Sequence, residues 1–438
     1  MNADALATLL RTIAQKWAVP GAQLSLIKED QTLLATHGVA NARTQSPVTL
    51  HTRFQLGSTT KAMLSFIAHQ LAQEAIIDLS APISRILADT LLCANGGDAE
   101  ISCLQLMSHQ SGLCGDAFFD LGDDRGAERR LLETARNLPI IHAPGEDVSY
   151  CNFGYVLLGQ ILEIASGQHW TVLFEQRLRD ALATLTLDPW PDHATSADMA
   201  IGHSGDHPVS RAALAVSNAA AGTTLIGTAL DLSQFGRMVL TSLRGDGPLN
   251  QEAATAMMTL TRMLAPNERG LGFGAGLMVF QSDPLVIGHD GLTIGQQAYL
   301  RIFPERGVAL AFLGNGGDMR SASAELFDQL SAVTGAPIKP PTYSATAIGD
   351  VTPGTYRRPN ASIDITSGPA RTRVTLINHE DWAKDLYGAR EGPFDLVALK
   401  AGGYGFFKPG SATPYRLHID GDAAYLGMRR YNRAETSA

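Results

Sequence analysis

The sequence predicts a two-domain protein. The first domain has the α/β class, with an antiparallel sheet flanked by helices and a helical insertion, and the second is a small all-β barrel. Strand-like runs occur near both ends of residues 1–336 with mainly helical segments between them, so both chain ends would contribute to one sheet. A Gly- and Pro-rich stretch at 335–341 predicts a linker. Short alternating segments separated by turn residues fill 342–438, which is typical of a small antiparallel barrel.

Hydrophobic periodicity predicts the elements of the first domain in order. Apolar residues recur at steps of three and four over 5–17, which indicates an amphipathic helix. Strands at 22–27 and 33–39 follow, joined by a polar turn, and the stretch from about 77 to 270 is mainly helical. The later strands are predicted at 285–287, 298–302 and 308–313, with a closing helix at 321–333. The barrel strands are predicted at 362–365, 373–377, 394–399, 404–408, 415–419 and 424–429.

Composition narrows the class of protein. Of 438 residues, 45% are hydrophobic and 18% are charged, as in an ordinary globular protein with a sizeable core. The net charge of −9 argues against nucleic acid or an anionic membrane as the main partner. The start of the chain lacks the pattern of a signal peptide, and no apolar run is long enough for a membrane span, so we expect a cytoplasmic protein. Four cysteines without zinc-type spacing are expected to be reduced thiols, and we predict no metal and no cofactor.

The main candidate for chemistry is Ser58-Thr59-Thr60-Lys61, which lies where an extended run ends and a helix is predicted to begin. Residues three apart share one side of a helix, so the Lys61 amine can reach the Ser58 hydroxyl. A desolvated lysine can take the serine proton, and the helix start offers N–H groups to an oxyanion. The alternative is a helix-capping serine beside a solvated lysine. A second Ser-x-x-Lys, at 25–28, lies in a predicted strand, where positions three apart face opposite sides.

Two further segments contain residues suited to the same chemistry. Tyr150 and Asn152 leave a turn that precedes an apolar helix predicted at 155–165. A phenol beside a lysine can relay the serine proton, and an asparagine amide can bind both the lysine and a substrate carbonyl. His289, with Gly291 allowing a ligand to approach the backbone, follows the strand predicted at 285–287 and could line the cleft opposite the serine. A surface turn and an ordinary loop histidine are the alternatives for these two segments.

Taken in order, Ser58-Thr59-Thr60-Lys61, Tyr150-Cys151-Asn152 and His289-Asp290-Gly291 resemble the three signatures of the class C β-lactamase-like serine hydrolases. That family includes penicillin-binding proteins, D-aminopeptidases, esterases and acyltransferases. The segment at 106–113 also resembles a leucine-rich family segment, with Ser108 in place of the usual threonine. The resemblance covers about residues 5–335, and 352–357 resembles the start of the lipocalin-like domain that follows many such hydrolases.

The resemblance implies roles for these residues in a β-lactamase/transpeptidase-like fold. Ser58 would be the nucleophile, Lys61 and Tyr150 the proton-transfer pair and Asn152 the substrate-orienting amide. The backbone N–H groups of Ser58 and Leu292 would form the oxyanion hole, His289 would act in catalysis, and Asp290 and Gly291 would bind substrate. True class C β-lactamases have a Lys-Thr-Gly triplet where this chain has His289-Asp290-Gly291. A histidine there is neutral or weakly basic at pH 7 and favours esterases, peptidases and acyltransferases over β-lactam hydrolysis.

We therefore predict a serine acyl-enzyme catalyst acting on a small-molecule or peptide ester, thioester or amide, including a carrier-bound thioester. Within this family, an alternative is a penicillin-binding-protein-type thioesterase that macrocyclises a nonribosomal peptide. A protein of another class, a binding or sensor protein that is acylated without turnover, is also an alternative. The loop at 118–126 is either a solvated loop or an acidic rim of the cleft that attracts an amine.

Overall fold

We describe a computed structural model of the chain. The described residues are 1–87, 100–115, 118–135, 139–184, 186–191, 198–205, 207–209, 214–264, 271–280, 282–335, 343–344, 348, 351–368, 371–381, 383–384, 388–400 and 402–434. Within these ranges the chain forms a nine-stranded antiparallel sheet with helices on both faces, and a ten-stranded antiparallel sheet that nearly closes into a barrel. The predicted fold class is confirmed.

The helices pack in two groups around the nine-stranded sheet. The α-helices are α1 (Ala3–Lys16), α2 (Thr59–Gln73), α3 (Cys103–Met107), α4 (Ala127–Ala135), α5 (Asn152–Ser166), α6 (Trp170–Phe174), α7 (Ala229–Leu243), α8 (Gln251–Met258), α9 (Met319–Gln329) and α10 (Ser331–Thr334). One apolar cluster joins α2, α5 and α7 to one side of the sheet, and a second joins α1 and α9 to the other side. The shorter helical turns are Ile83–Arg85, Glu175–Arg179, Val216–Ala221 and Pro304–Arg306.

The first domain contains thirteen strands among its described residues: β1 (Gly21–Lys28), β2 (Gln31–Asn41), β3 (Ser46–Pro47), β4 (Phe54–Gln55), β5 (His203–Ser204), β6 (His207–Pro208), β7 (Ile226–Gly227), β8 (Arg262–Met263), β9 (Leu271–Phe273), β10 (Met278–Phe280), β11 (Val286–Leu292), β12 (Gln297–Phe303) and β13 (Val308–Gly314). The sheet order is β3-β2-β1-β13-β12-β11-β10-β9-β8. Since β1 pairs with β13, strands from both ends of the first domain contribute to one sheet, as predicted.

The second domain has its own apolar core around Tyr356, Phe406 and Leu417. Its strands are β14 (Tyr343–Ser344), β15 (Gly354–Arg358), β16 (Ala361–Ser367), β17 (Thr372–Asn378), β18 (Arg390–Asp395), β19 (Val397–Leu399), β20 (Tyr404–Phe406), β21 (Tyr415–Asp420), β22 (Ala423–Leu426) and β23 (Arg429–Arg433). Their order is β14-β19-β20-β21-β22-β23-β15-β16-β17-β18.

Several predicted boundaries were wrong. The strand predicted at 285–287 extends to Leu292 because β11 keeps its pairing with β12 through two glycines, so His289 lies inside a strand and not after one. The strand predicted at 424–429 is two strands, because Met428 adopts a positive φ of 66° in the turn between them. The strand predicted at 394–399 is likewise divided between β18 and β19. The linker predicted at 335–341 lies, beyond its first residue, outside the described residues.

Two other expectations concern features away from the sheet. Cys103, Cys114 and Cys151 are free thiols, as predicted, and all three are buried; Cys93 lies outside the described residues. Among the helices in the described ranges, none has the length and apolarity needed to cross a membrane.

Candidate active site

Ser58 and Lys61 lie at the start of α2, where the chain passes from the short strand β4 into the helix. Ser58 occupies the position just before the first helical residue, and its side chain does not cap the helix. Lys61 is fully buried, and its Nζ lies 3.0 Å from Ser58 Oγ and 2.6 Å from the carbonyl oxygen of Ala221. The predicted contact between the two side chains is confirmed. A lysine that has lost its proton could take the serine proton across this contact.

The second Ser-x-x-Lys lies in β1, as predicted. The Ser25 hydroxyl is buried and lies 2.6 Å from that of Ser233, so it bonds to α7. Opposite faces of the strand separate Ser25 from Lys28, which excludes this pair as a second proton-transfer site.

Tyr150 lies beside the lysine. Its ring is buried, and Lys61 Nζ is 5.1 Å from the ring centroid. This distance is that of a cation–π contact between the Lys61 side chain and the Tyr150 ring. Asn152 is buried as the first residue of α5. The turn thus brings Tyr150 to the Ser58–Lys61 pair, as the resemblance implied.

The segment at 106–113 contacts the turn that contains Tyr150 and Cys151. The His109 ring lies 4.2 Å from the Tyr150 ring between centroids, and its Nδ1 accepts a hydrogen bond from the Cys151 N–H at 3.1 Å. Since Nδ1 is the acceptor, the ring proton of a neutral His109 is on Nε2. The family-like segment therefore holds part of the backbone around Tyr150.

His289 faces the same cluster from β11. Burial, and next the charge of Lys61, lower the pKa of His289 from 6.5 to about 4, so the ring is neutral at pH 7. Its Nδ1 lies 2.8 Å from the carbonyl oxygen of Asp290, which can only accept, so Nδ1 holds the ring proton. The other ring nitrogen, Nε2, then has a free electron pair. His289 can accept a hydrogen bond there, and it cannot supply a cation for a substrate carboxylate.

Asp290 does not share this face, contrary to its predicted role in substrate binding. Successive side chains of a strand point to opposite sides, and the Asp290 carboxylate pairs with Arg301 Nη1 at 2.5 Å. Arg301 is almost fully buried, and its guanidinium lies 5.1 Å from the ring centroid of Phe327 on α9. The Asp290 side chain therefore neutralises a buried cation on the far face of the sheet.

The predicted oxyanion hole depends on two glycines. A Cβ on Gly57 would lie 2.8 Å from the Leu292 backbone nitrogen, and a Cβ on Gly291 would lie 2.0 Å from the carbonyl oxygen of Leu56. These contacts place the end of β11 directly against the residue before Ser58. The close approach requires glycine at both positions, since any side chain would separate the two backbones.

Two contributors to the site gave no signal in the sequence. The Ala221 carbonyl, which binds Lys61, comes from a run of small residues far along the chain. The N–H of the neighbouring Ala220 donates to the buried carboxyl of Glu128 at 2.8 Å, and Trp170 Nε1 donates to the same group at 2.7 Å. Burial raises the pKa of Glu128 to about 8, and the two hydrogen bonds offset only part of this effect. Glu128 thus supports the segment that holds Lys61.

The loop at 118–126 contacts this same segment. The Phe119 carbonyl accepts a hydrogen bond from the Ser217 hydroxyl at 2.5 Å. Asp124 forms an ion pair with Arg130 of α4 at 2.6 Å, so its carboxylate already has a cationic partner. Attraction of a substrate amine by this loop stays a prediction.

The second domain also reaches the site, which the sequence did not predict. The Tyr150 N–H donates to the Met428 carbonyl oxygen at 2.8 Å. The guanidinium carbon of Arg429 lies 5.0 Å from the Tyr150 ring centroid. The β22–β23 turn is therefore part of the surroundings of Tyr150.

Comparisons with known proteins show the family and the fold of this chain. The family model described as Beta-lactamase matches residues 9–333. Penicillin-binding protein 4 of Amycolatopsis lactamdurans is 28% identical over 357 residues, which are 78% of this chain and 93% of that protein.

Solved structures show the same likeness. SurE, crystallised with D-Leu, superposes with a TM-score of 0.73 at 25% identity, over 98% of this chain and 99% of that chain. The D-amino acid amidase from Ochrobactrum anthropi SV3, complexed with D-phenylalanine, superposes with a TM-score of 0.63 at 22% identity, over 75% of this chain and 98% of that chain. The likeness to the amidase establishes the fold alone, whereas the likeness to SurE extends over both domains.

Proposed function

The chain belongs to the beta-lactamase family of serine hydrolases, and we propose that it is an acyl-enzyme hydrolase or acyltransferase acting on an ester, thioester or peptide amide. One observation supports this proposal above the others. A fully buried lysine amine lies 3.0 Å from the hydroxyl of a partly exposed serine at a helix start. A buried amine is neutralised more easily than an exposed one, and a neutral amine at this distance can remove the hydroxyl proton.

The reaction would proceed in two halves. Ser58 Oγ attacks the substrate carbonyl while its proton passes to Lys61, and Tyr150 relays the proton to the leaving group. The N–H groups of Ser58 and Leu292 would stabilise the oxyanion, and Asn152 would orient the substrate carbonyl. Water or an amine then attacks the acyl-enzyme, with the same groups moving the proton in reverse.

The substrate class follows from His289 and from the relatives. A neutral His289 whose Nε2 can only accept does not pair with a carboxylate, which argues against efficient β-lactam hydrolysis. Such an atom suits a substrate N–H or hydroxyl. SurE, which matches both domains, was crystallised with D-Leu, and this supports a substrate that contains a D-amino acid residue.

A second candidate is transfer of the acyl group to an amine of the same peptide, which gives a macrocycle. The β22–β23 turn beside Tyr150 favours this candidate, because a second domain at the site can fold a long acyl chain back and exclude water. The binding or sensor alternative needs the same proton relay for its acylation, and it differs from the proposed enzyme in the absence of turnover.

Two experiments test the proposal. A fluorophosphonate probe should label the wild-type protein and not Ser58→Ala, and the wild type should turn over p-nitrophenyl acetate many times. Labelling without turnover would support the sensor, and the absence of labelling would contradict the acyl-enzyme mechanism. A panel of D- and L-configured peptidyl thioesters, analysed by mass spectrometry, should give faster turnover of the D series and distinguish linear from cyclic products.

A further inference from the structure

The second domain binds the turn that precedes α5 through one charged cluster. The Asp147 carboxylate lies three residues before Tyr150, and it accepts hydrogen bonds from the Tyr425 hydroxyl at 2.6 Å and from Arg430 Nη1 at 2.8 Å. Tyr425 and Arg430 come from β22 and β23, the two strands of one hairpin. We call Asp147, Tyr425 and Arg430 the clamp.

The clamp is electrostatically favourable although it is partly buried. Burial alone would raise the pKa of Asp147, but hydrogen bonds from Tyr425, from the Val148 N–H and from Arg430 outweigh burial and lower the pKa. The carboxylate therefore stays ionised at neutral pH, and its ion pair with Arg430 persists. Charge-assisted hydrogen bonds of this kind are stronger than neutral ones and restrict the groups that they join.

Backbone contacts extend the attachment from the clamp to the tyrosine itself. The Arg430 N–H donates to the Ser149 hydroxyl at 3.2 Å, and the Met428 carbonyl accepts the Tyr150 N–H at 2.8 Å. Met428 has a positive φ, which directs the turn between the strands. Three successive positions of the hairpin thus contact the turn around Tyr150, with Arg429 against the aromatic ring.

A separate surface attaches the same domain to α9. Arg320 Nη2 donates to the Pro414 carbonyl at 3.0 Å, and the Ser321 and Thr413 hydroxyls lie 2.8 Å apart. The Ala412 N–H donates to Asp318 at 2.9 Å. The two domains are therefore held together at a second place, and contacts at the turn are not needed merely to keep them attached.

We propose that the second domain positions Tyr150 for proton transfer, with Asp147, Tyr425 and Arg430 as positioning residues. The inference rests on the proposed role of Tyr150 in catalysis. Tyr150 lies at the exit of a turn, before the first residue of α5, so helix hydrogen bonds do not by themselves fix its backbone. The 106–113 segment holds the N–H groups of Ser149 and Cys151 through His109, and the hairpin holds the N–H of Tyr150 itself. Misplacement of a reacting group by about 1 Å can cost about 100-fold in rate.

Two double variants separate positioning from general attachment. Tyr425→Phe with Arg430→Met removes one hydroxyl and one guanidinium at the clamp. The control, Arg320→Met with Thr413→Val, also removes one guanidinium and one hydroxyl, but at the contact between α9 and the second domain. We expect the clamp variant to lower kcat for p-nitrophenyl acetate by about 10- to 100-fold with KM within about threefold, and the control to stay within about twofold for both. Arg430→Lys, which keeps the charge, should retain most of the activity.

Hydrogen exchange provides a readout that does not depend on activity. Peptides spanning 145–151 should exchange faster in the clamp variant than in the wild type and the control, and Tyr425→Phe alone should show the same direction if the double variant does not fold. Unchanged kcat and exchange in a folded clamp variant, or an equal loss of activity in the control, would overturn the proposal. If the wild type neither turns over the ester nor labels at Ser58, the proposed function fails, while the exchange comparison still tests the positioning of the turn.

Discussion

Glu128→Gln should remove a large part of the pH dependence of folding stability. The carboxyl is fully buried, and burial raises its pKa from 4.5 to about 8. In the unfolded chain the same group ionises near 4.5, so between these values only the folded state holds the proton. Its contribution to stability is complete below pH 4.5 and is lost as the pH rises through about 8. At about 1.4 kcal/mol per pH unit, the total is about 5 kcal/mol.

The assay is urea unfolding of wild type and Glu128→Gln at pH 5 and pH 8. The free energy of unfolding of the wild type should fall by about 4 kcal/mol relative to the variant between these two values. Glu133→Gln, on the same helix and with its carboxyl exposed, is the control and should follow the wild type. A difference that stays constant, or that changes in the opposite direction, would refute the reasoning, because Glu128 would then be ionised in the fold.

Three further predictions concern the site. Lys61→Met should lower kcat/KM for p-nitrophenyl acetate by about 10²- to 10⁴-fold because the general base is lost, and a folded variant that keeps a tenth of the activity would contradict this role. The His289 ring should titrate near pH 4, since burial and the charge of Lys61 oppose protonation; an NMR titration with a midpoint near 6.5 would be incompatible with that environment. Asp290→Ala should lower the melting temperature because the buried Arg301 loses its carboxylate partner. The KM for the same ester should stay within about twofold, and a tenfold rise would show that Asp290 contacts the substrate.

Much of the architecture could be predicted because it depends on local patterns. Periodicity of three to four residues identified α1 and α2, and alternation with turn residues identified the barrel. The predicted ends of strands were wrong where pairing with a distant strand determines how far the strand extends. Gly288 and Gly291 suggest a strand end, but their backbones continue the pairing of β11 with β12. Because His289 and Asp290 are successive residues of β11, their side chains point to opposite faces of the sheet, and Asp290 therefore lies away from the site.

By itself, the sequence determined the fold class and the Ser58–Lys61 contact, since a spacing of three residues in the first turn of a helix allows the two side chains to meet. Only the tertiary structure decided what surrounds that pair. The Ala221 carbonyl, the buried Glu128 and the β22–β23 turn on Tyr150 all come from segments far apart in the chain. No periodicity encodes such contacts, because they arise when separately folded segments pack against one another.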